Sequence, residues 1–467
     1  MDTTVHVDTT TTPLTHALDS LHKANDSAGF AQTLRSVDST IASLRDSIFT
    51  LDSLRAQPAP ILEALSSPET VTEPTPARIP EQVGLIGLIF ALFLVPKLLQ
   101  RYKLPGAITS LLLGIAASLL GWFHEDPTIN LLSTLGIVAL FLFAGLEIDG
   151  SELKRNSKPL ILHAAIWTLT AILAAIGATV ILDVQPRIAA LVALAVVTPS
   201  TGFILSSLSG FGMNQREQKT VRTYAIGSEL IALAALFFIL QSTSAQHLAI
   251  AIASMAGVIV VIPLAFRAFA SVVAPHAPKS EFAFLVMVAV VCAYATRLLG
   301  VYYLVGAFLV GVAAQRYRSS HPAMSSEKMI DALESFGSVF IPFYFFHAGT
   351  EIMRGHLSLK SLAIGLTLLV VLVPLRIGVI ALHRRLVLGE PFKVSRRVGA
   401  AMIPTLVFTL VIVGILQSRF GLDEAIAGGL VLYTILNTVI PGFVLGAQPA
   451  DFEDVEALPL ESNLHEG

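Results

Sequence analysis

The chain has 467 residues, 54% of them hydrophobic and only 13% charged, with mean hydropathy +0.74 and net charge −3. That balance excludes a soluble globular domain and places the chain among polytopic helical membrane proteins. Cys292 is the single cysteine, which excludes an internal disulfide. No Walker loop, dinucleotide glycine fingerprint, zinc spacing or nucleophile elbow occurs, so no enzymatic activity, cofactor or nucleic-acid partner is expected.

The first 57 residues lack the basic flank and apolar core of a signal peptide. Within them Phe30, Leu34, Val37, Ile41, Leu44, Ile48 and Leu51 form a heptad seam. Such a seam suits a self-associating helix or one resting on a membrane domain. Residues 58–82 form a Pro-rich linker, in which a continuous helix is not expected. A transmembrane domain at 83–446 and an acidic cytoplasmic tail at 447–467 complete the predicted organisation.

Thirteen apolar segments approach spanning length. They lie near 83–100, 104–123, 130–150, 159–182, 187–208, 221–241, 247–274, 281–299, 301–317, 328–352, 358–384, 396–417 and 422–446. The segments 281–299 and 301–317 are short, and read as two spans or as an in-membrane hairpin. Basic residues alternate between the connections: nineteen Lys and Arg on one side, five on the other. That asymmetry puts the C-terminus in the cytoplasm and the N-terminal region outside, in a bacterial-type inner or plasma membrane.

The charge pattern isolates two residues. Glu229 is the only acid deep within a segment, and Arg376 the only such base. A charge at mid-membrane costs about 2.5–3.5 kcal/mol on insertion scales, which marks a functional candidate; a structural hydrogen bond is the plainer alternative for Glu229. Segments 187–208 and 396–417 carry Pro199, within Val197-Thr198-Pro199-Ser200-Thr201-Gly202, and Pro404, within Ile403-Pro404-Thr405. Proline alone marks only a kink, but two interrupted segments crossing in opposite directions are what inverted transporter repeats require. Counted at ~1.5 Å per residue, Pro199, Glu229, Arg376 and Pro404 all lie about 12–13 Å from the cytoplasmic face. Hydroxyls at Thr198, Ser200, Thr201, Ser228 and Thr405 supply hard oxygens suited to a small cation. His347 and Glu351, four apart, read as an outer-vestibule pair or a local hydrogen bond, and His163 as structural.

With these residues in view, the chain resembles the cation:proton antiporter superfamily, nearest to its potassium-efflux-type branch. The resemblance runs over about 83–446 and rests on LGIVALFLFAGLEID from Leu135 to Asp149 and GAFLVG from Gly306 to Gly311. Phe345-Phe346-His347-Ala348-Gly349 and Lys103-Leu104-Pro105 add to it. It implies an all-α fold of thirteen helices with two crossing broken helices, a homodimer, and elevator-like alternating access. It assigns the ion-binding acid to Glu229, where most members have Asp, and the preceding, commonly polar or acidic position to Ser228. Arg376 matches a basic residue in the helix facing the acids. Thr405-Leu406-Val407 stands where potassium-efflux relatives often have Arg-Gly-Glu.

The function expected is exchange of Na+ or K+ for H+ across the bilayer, the two competing for Glu229. Burial favours a carboxyl group's protonated form and a nearby cation its ionised form, so one group can carry either. With Ser228 in place of a second acid, exchange is expected to be electroneutral. A channel, a transport-inactive sensor and an organic-anion carrier on the same fold are the alternatives.

Overall fold

The computed structural model describes residues 81–445 apart from 103, 122–125, 149, 156, 278–279, 299–302 and 319–326. The heptad seam, most of the linker and the acidic tail therefore lie outside the described residues. Helices are α1 (Glu81–Gln100), α2 (Gly106–Leu120), α3 (Pro127–Leu146), the short α4 (Gly150–Arg155), α5 (Ser157–Leu182), α6 (Pro186–Val197), α7 (Thr201–Ser207) and α8 (Gln215–Gln241). They continue as α9 (Ala245–Ala268), α10 (Glu281–Leu298), α11 (Tyr303–Arg318), α12 (Glu327–Thr350), α13 (Leu359–Leu388), α14 (Phe392–Ala401), α15 (Leu406–Phe420) and α16 (Glu424–Val444). No strand occurs among the described residues.

Each of the thirteen predicted segments coincides with a helix or with a broken pair, α6/α7 or α14/α15. Among the described residues, nine spans are long and apolar enough to cross a membrane, one of them the pair α6/α7 taken together, and the bent pair α14/α15 makes ten. The helices α2 and α11 are apolar but shorter. The predicted hairpin region holds two helices, α10 and α11.

The breaks have a local cause. Proline has no N–H to donate and crowds the residue before it, which pushes that residue out of the helical region. Thr198, before Pro199, ends α6 in an extended conformation with ψ 121°, and α7 begins at Thr201. At the second break α14 stops at Ala401 and α15 starts at Leu406, the two axes differing by 44°.

Packing divides the helices into two groups. In one, α3 packs against α11 and α12, α2 against α1 and α12, and α10 against α11. In the other, α5 packs against α6 and α8, α6 against α15, and α13 against α14 and α16. Helix α7 reaches α3 across the seam between them. The motifs that carry the family resemblance are joints of the first group. A Cβ on Gly145 would overlap the carbonyl oxygen of Phe308, and one on Gly311 that of Leu142, so α3 and α11 touch backbone to backbone. Gly349 and Gly114 do the same for α12 and α2. Small residues permit such approach between helices in lipid, where no hydrophobic force drives them together.

Helix ends that the charge alternation sorts to one face also meet in space. Arg222 lies 3.8 Å from Glu147, and Arg397 3.6 Å from Glu217. At the opposite face, Arg187 donates to the carbonyls of Ile239 and Leu240, and Lys360 lies 3.5 Å from Asp423.

Candidate functional site: the crossing of the two broken helices

The two breaks touch. The amide of Ser200 donates to the carbonyl of Pro404 at 2.7 Å, and the Thr409 hydroxyl of α15 donates to the Ala195 carbonyl of α6 at 2.7 Å. Interrupted helices leave backbone groups without intrahelical partners, and in lipid these must be satisfied by protein or face a cavity. The two breaks answer that demand differently.

At the first break, Glu229 of α8 is buried, and its Oε2 accepts from the Thr201 amide, the first residue of α7, at 3.2 Å. A carboxylate at the N-terminal end of a helix meets unpaired N–H groups and the positive end of the helix dipole. Beside it is a cavity of about 10 Å³, lined by Ser200, Gly202, Glu229 and Val407 with Leu140, Phe141 and Ala144 of α3. The volume suits a single water-sized body. One wall comes from the first helix group and the rest from the second, so the carboxyl group sits on the seam between them. The hydroxyls of Thr198 and Ser200 are buried and make no hydrogen bond to protein.

At the second break the carbonyls of 402–404 and the amide and hydroxyl of Thr405 all have partners. The Thr405 amide donates to Asn437 Oδ1 at 3.2 Å, and its hydroxyl meets Thr434 at 3.0 Å, Asn437 Nδ2 at 3.0 Å and Thr409 at 2.8 Å. Arg376 closes the carbonyl ends. It donates to Ile403 O at 2.7 Å, Met402 O at 2.9 Å and Val196 O at 3.3 Å, as well as to the Tyr433 hydroxyl at 3.3 Å. Tyr433 in turn donates to Val196 O at 3.0 Å. One guanidinium thus faces the negative ends of both α6 and α14. It pairs with carbonyls here, and its hydrogen bonds do not reach Glu229. Pro199, with Arg376, His163 and Trp167, lines a separate cavity of about 30 Å³.

Ser228 turns away from Glu229. Its hydroxyl meets His163 Nε2 of α5 at 3.1 Å, and it is not among the residues lining the Glu229 cavity. The His163 ring stacks on Tyr224 with centroids 4.1 Å apart. His347 and Glu351 form a partly exposed i,i+4 pair at 3.9 Å. The residues that sequence reasoning missed are Asn437 and Thr434 on α16 and Thr409 on α15. A signal existed for the first two, because Thr434, Asn437 and Thr438 make a polar i, i+3, i+4 stripe on an apolar helix. Among the described residues no group of three or more His, Cys, Asp or Glu could hold a metal ion, and Glu229 is the one acid among the residues lining its cavity.

Comparison with known proteins agrees with this architecture. The sequence model of the family described as sodium/hydrogen exchanger, transmembrane, matches residues 87–447. The chain is 25% identical over 386 residues to a Na+/H+ antiporter of Enterococcus hirae, which covers 78% of this chain and 97% of that protein. It is 23% identical over 370 residues to the Na+/H+-K+ antiporter GerN of Bacillus cereus, covering 77% and 93% respectively. The solved structure of the sodium proton antiporter MjNhaP1 from Methanocaldococcus jannaschii superposes with a TM-score of 0.60 at 17% identity, over 79% of this chain and 98% of that one, and shows the same fold. The buried acid at a helix crossing, the paired breaks and the match over most of the chain lead to one conclusion: this multi-pass membrane protein belongs to the sodium/hydrogen exchanger family of the cation:proton antiporter superfamily.

Proposed function

We propose that the protein exchanges a monovalent cation, Na+ or K+, for H+ by alternating access, with Glu229 holding one or the other. The observation that carries this reading is the buried Glu229 carboxyl group, placed on the Thr201 amide beside a water-sized cavity at the seam between two helix groups. A group at such a seam changes its exposure when one helix group moves against the other. The relatives named as Na+/H+ antiporters favour sodium, and GerN, whose name includes K+, keeps potassium as the second candidate.

Ser200 and Thr198 are the neutral oxygens suited to join Glu229 around a cation, with Thr201 acting through its amide. Arg376 compensates charge by neutralising two helix ends, and Pro199, Pro404 and Thr405 hold the breaks that create the site. Ser228 supports the acid from behind through His163. Since no second carboxylate lines the cavity, we assign electroneutral 1:1 exchange. Its size leaves no room for an organic anion in this conformation. We further propose a homodimer with the N-terminus outside and the C-terminus cytoplasmic.

Proteoliposomes of the full chain with an internal pH dye test the reading. Adding external Na+ or K+ should raise internal pH as the cation enters and protons leave, and an imposed membrane potential should drive no net exchange. Cation flux without proton movement would identify a channel, and neither flux would identify a sensor. Potential-driven exchange would overturn the 1:1 stoichiometry.

A further inference from the structure

We propose that a groove between α9 and α11, remote from the exchange site, binds the headgroup of an anionic phospholipid. Helix α9 runs on into a single π-helical turn, Phe269–Val273, closed by the Ala274 amide on the Phe269 carbonyl at 2.9 Å. Such turns add a residue to the helix and recur at functional sites. The groove beside it measures about 870 Å³, within the range of small-molecule sites.

Its lining has two chemistries. Arg267, in the last turn of α9, and Arg316, near the end of α11, bring two guanidinium groups to one groove, and no acidic side chain lines it among the described residues. Two guanidinium groups on one groove give a bound anion two positive charges to face. A guanidinium also matches phosphate oxygens in a two-pronged hydrogen bond. Beneath the arginines the lining is apolar and aromatic: Phe266 and Tyr317, with ring centroids 5.4 Å apart, and the small Ala270 and Ala313.

Depth selects the ligand's source. Both arginines stand at the ends of membrane helices, the level of lipid headgroups, and basic pockets between such helices are suited to anionic lipids. One turn or two deeper, α9 exposes Val260 and Leu264, an apolar track on which an acyl chain can lie. A soluble anion would engage the arginines but gain nothing from the aromatic floor or this track. The groove holds a phosphate over an apolar slot, which is the form of a phospholipid.

The inference is tested by binding rather than transport, so it stands or falls apart from the exchange assignment. Full-length protein, delipidated in detergent, is titrated with a fluorescent-tailed phosphatidylglycerol, with phosphatidylcholine as control. Phosphatidylglycerol should bind selectively. R267Q/R316Q should weaken it by about 25-fold, at roughly fivefold per arginine, while R267K/R316K should keep most of the affinity. Ala313→Phe, which fills the slot without changing charge, should also weaken binding and serves if the glutamine variant fails to fold. Equal binding of phosphatidylcholine, undiminished binding by both variant types, or full displacement by millimolar inorganic phosphate would overturn the proposal. So would a result in which the variants change only the protein's self-association.

Discussion

The two helix breaks meet at Ser200 and Pro404, yet one is chemically closed and the other open. At 402–405 side chains meet most of the freed groups: Arg376 the Met402 and Ile403 carbonyls, and Asn437, Thr434 and Thr409 the amide and hydroxyl of Thr405. At 198–200 two buried hydroxyls make no protein hydrogen bond, and an acid lies beside a cavity. Similar interruptions in sequence therefore have unlike roles. On the function proposed, the satisfied break is a joint that fixes the crossing, and the unsatisfied one holds the groups that take the ion. In a low-dielectric interior a satisfied polar network rigidifies, while an unpaired polar group is costly.

The contrast can be broken most severely through Arg376. Arg376→Ala takes the guanidinium donor from the Met402 and Ile403 carbonyls and leaves Val196 O with Tyr433 alone, and hydrogen bonds to charged groups are the strong ones. A loss of about 3 kcal/mol is expected, read as a drop in detergent melting temperature, with Arg376→Lys recovering part of it. Within the scaffold, Gly145→Leu should separate α3 from α11 at a cost of about 1–3 kcal/mol, since their backbones already touch. Asn437→Ala removes one partner of the Thr405 amide, and about 1 kcal/mol should be lost with cation affinity little changed. Ser200→Ala should do the reverse. It has no protein hydrogen bond to lose, so melting should hold while apparent cation affinity falls roughly fivefold, as loss of one oxygen ligand worth about 1 kcal/mol would give. The smallest effect is expected from Ser228→Ala, which breaks one hydrogen bond to His163 and should cost under about 1 kcal/mol with no change in affinity.

Much of this was legible before any coordinates. An isolated charge in an apolar segment is conspicuous because burial is costly, and that singled out Glu229 and Arg376. Counting residues from the helix ends placed Pro199 and Pro404 at matching depth, and their backbones meet. Rotation about the helix axis was not legible in the same way. Successive helical residues point about 100° apart, so adjacency to Glu229 did not carry Ser228 into its cavity; the hydroxyl instead joins His163. The acceptors of Arg376 were hidden for another reason. They are backbone carbonyls at Val196, Met402 and Ile403, which exist as acceptors only because the helices break there. In the sequence the family's glycine motifs are marks of kinship; the contacts make them packing joints, a pairing that needs both helices in view.

The most direct test of the account is Glu229→Gln in proteoliposomes, assayed by cation-induced change in internal pH. The amide keeps the side chain's size and its hydrogen bond from the Thr201 amide but cannot trade a proton for a cation. Glu229→Gln should fold and show no exchange at any pH, beside a wild type that exchanges. Retained exchange in Glu229→Gln would contradict the role proposed for Glu229.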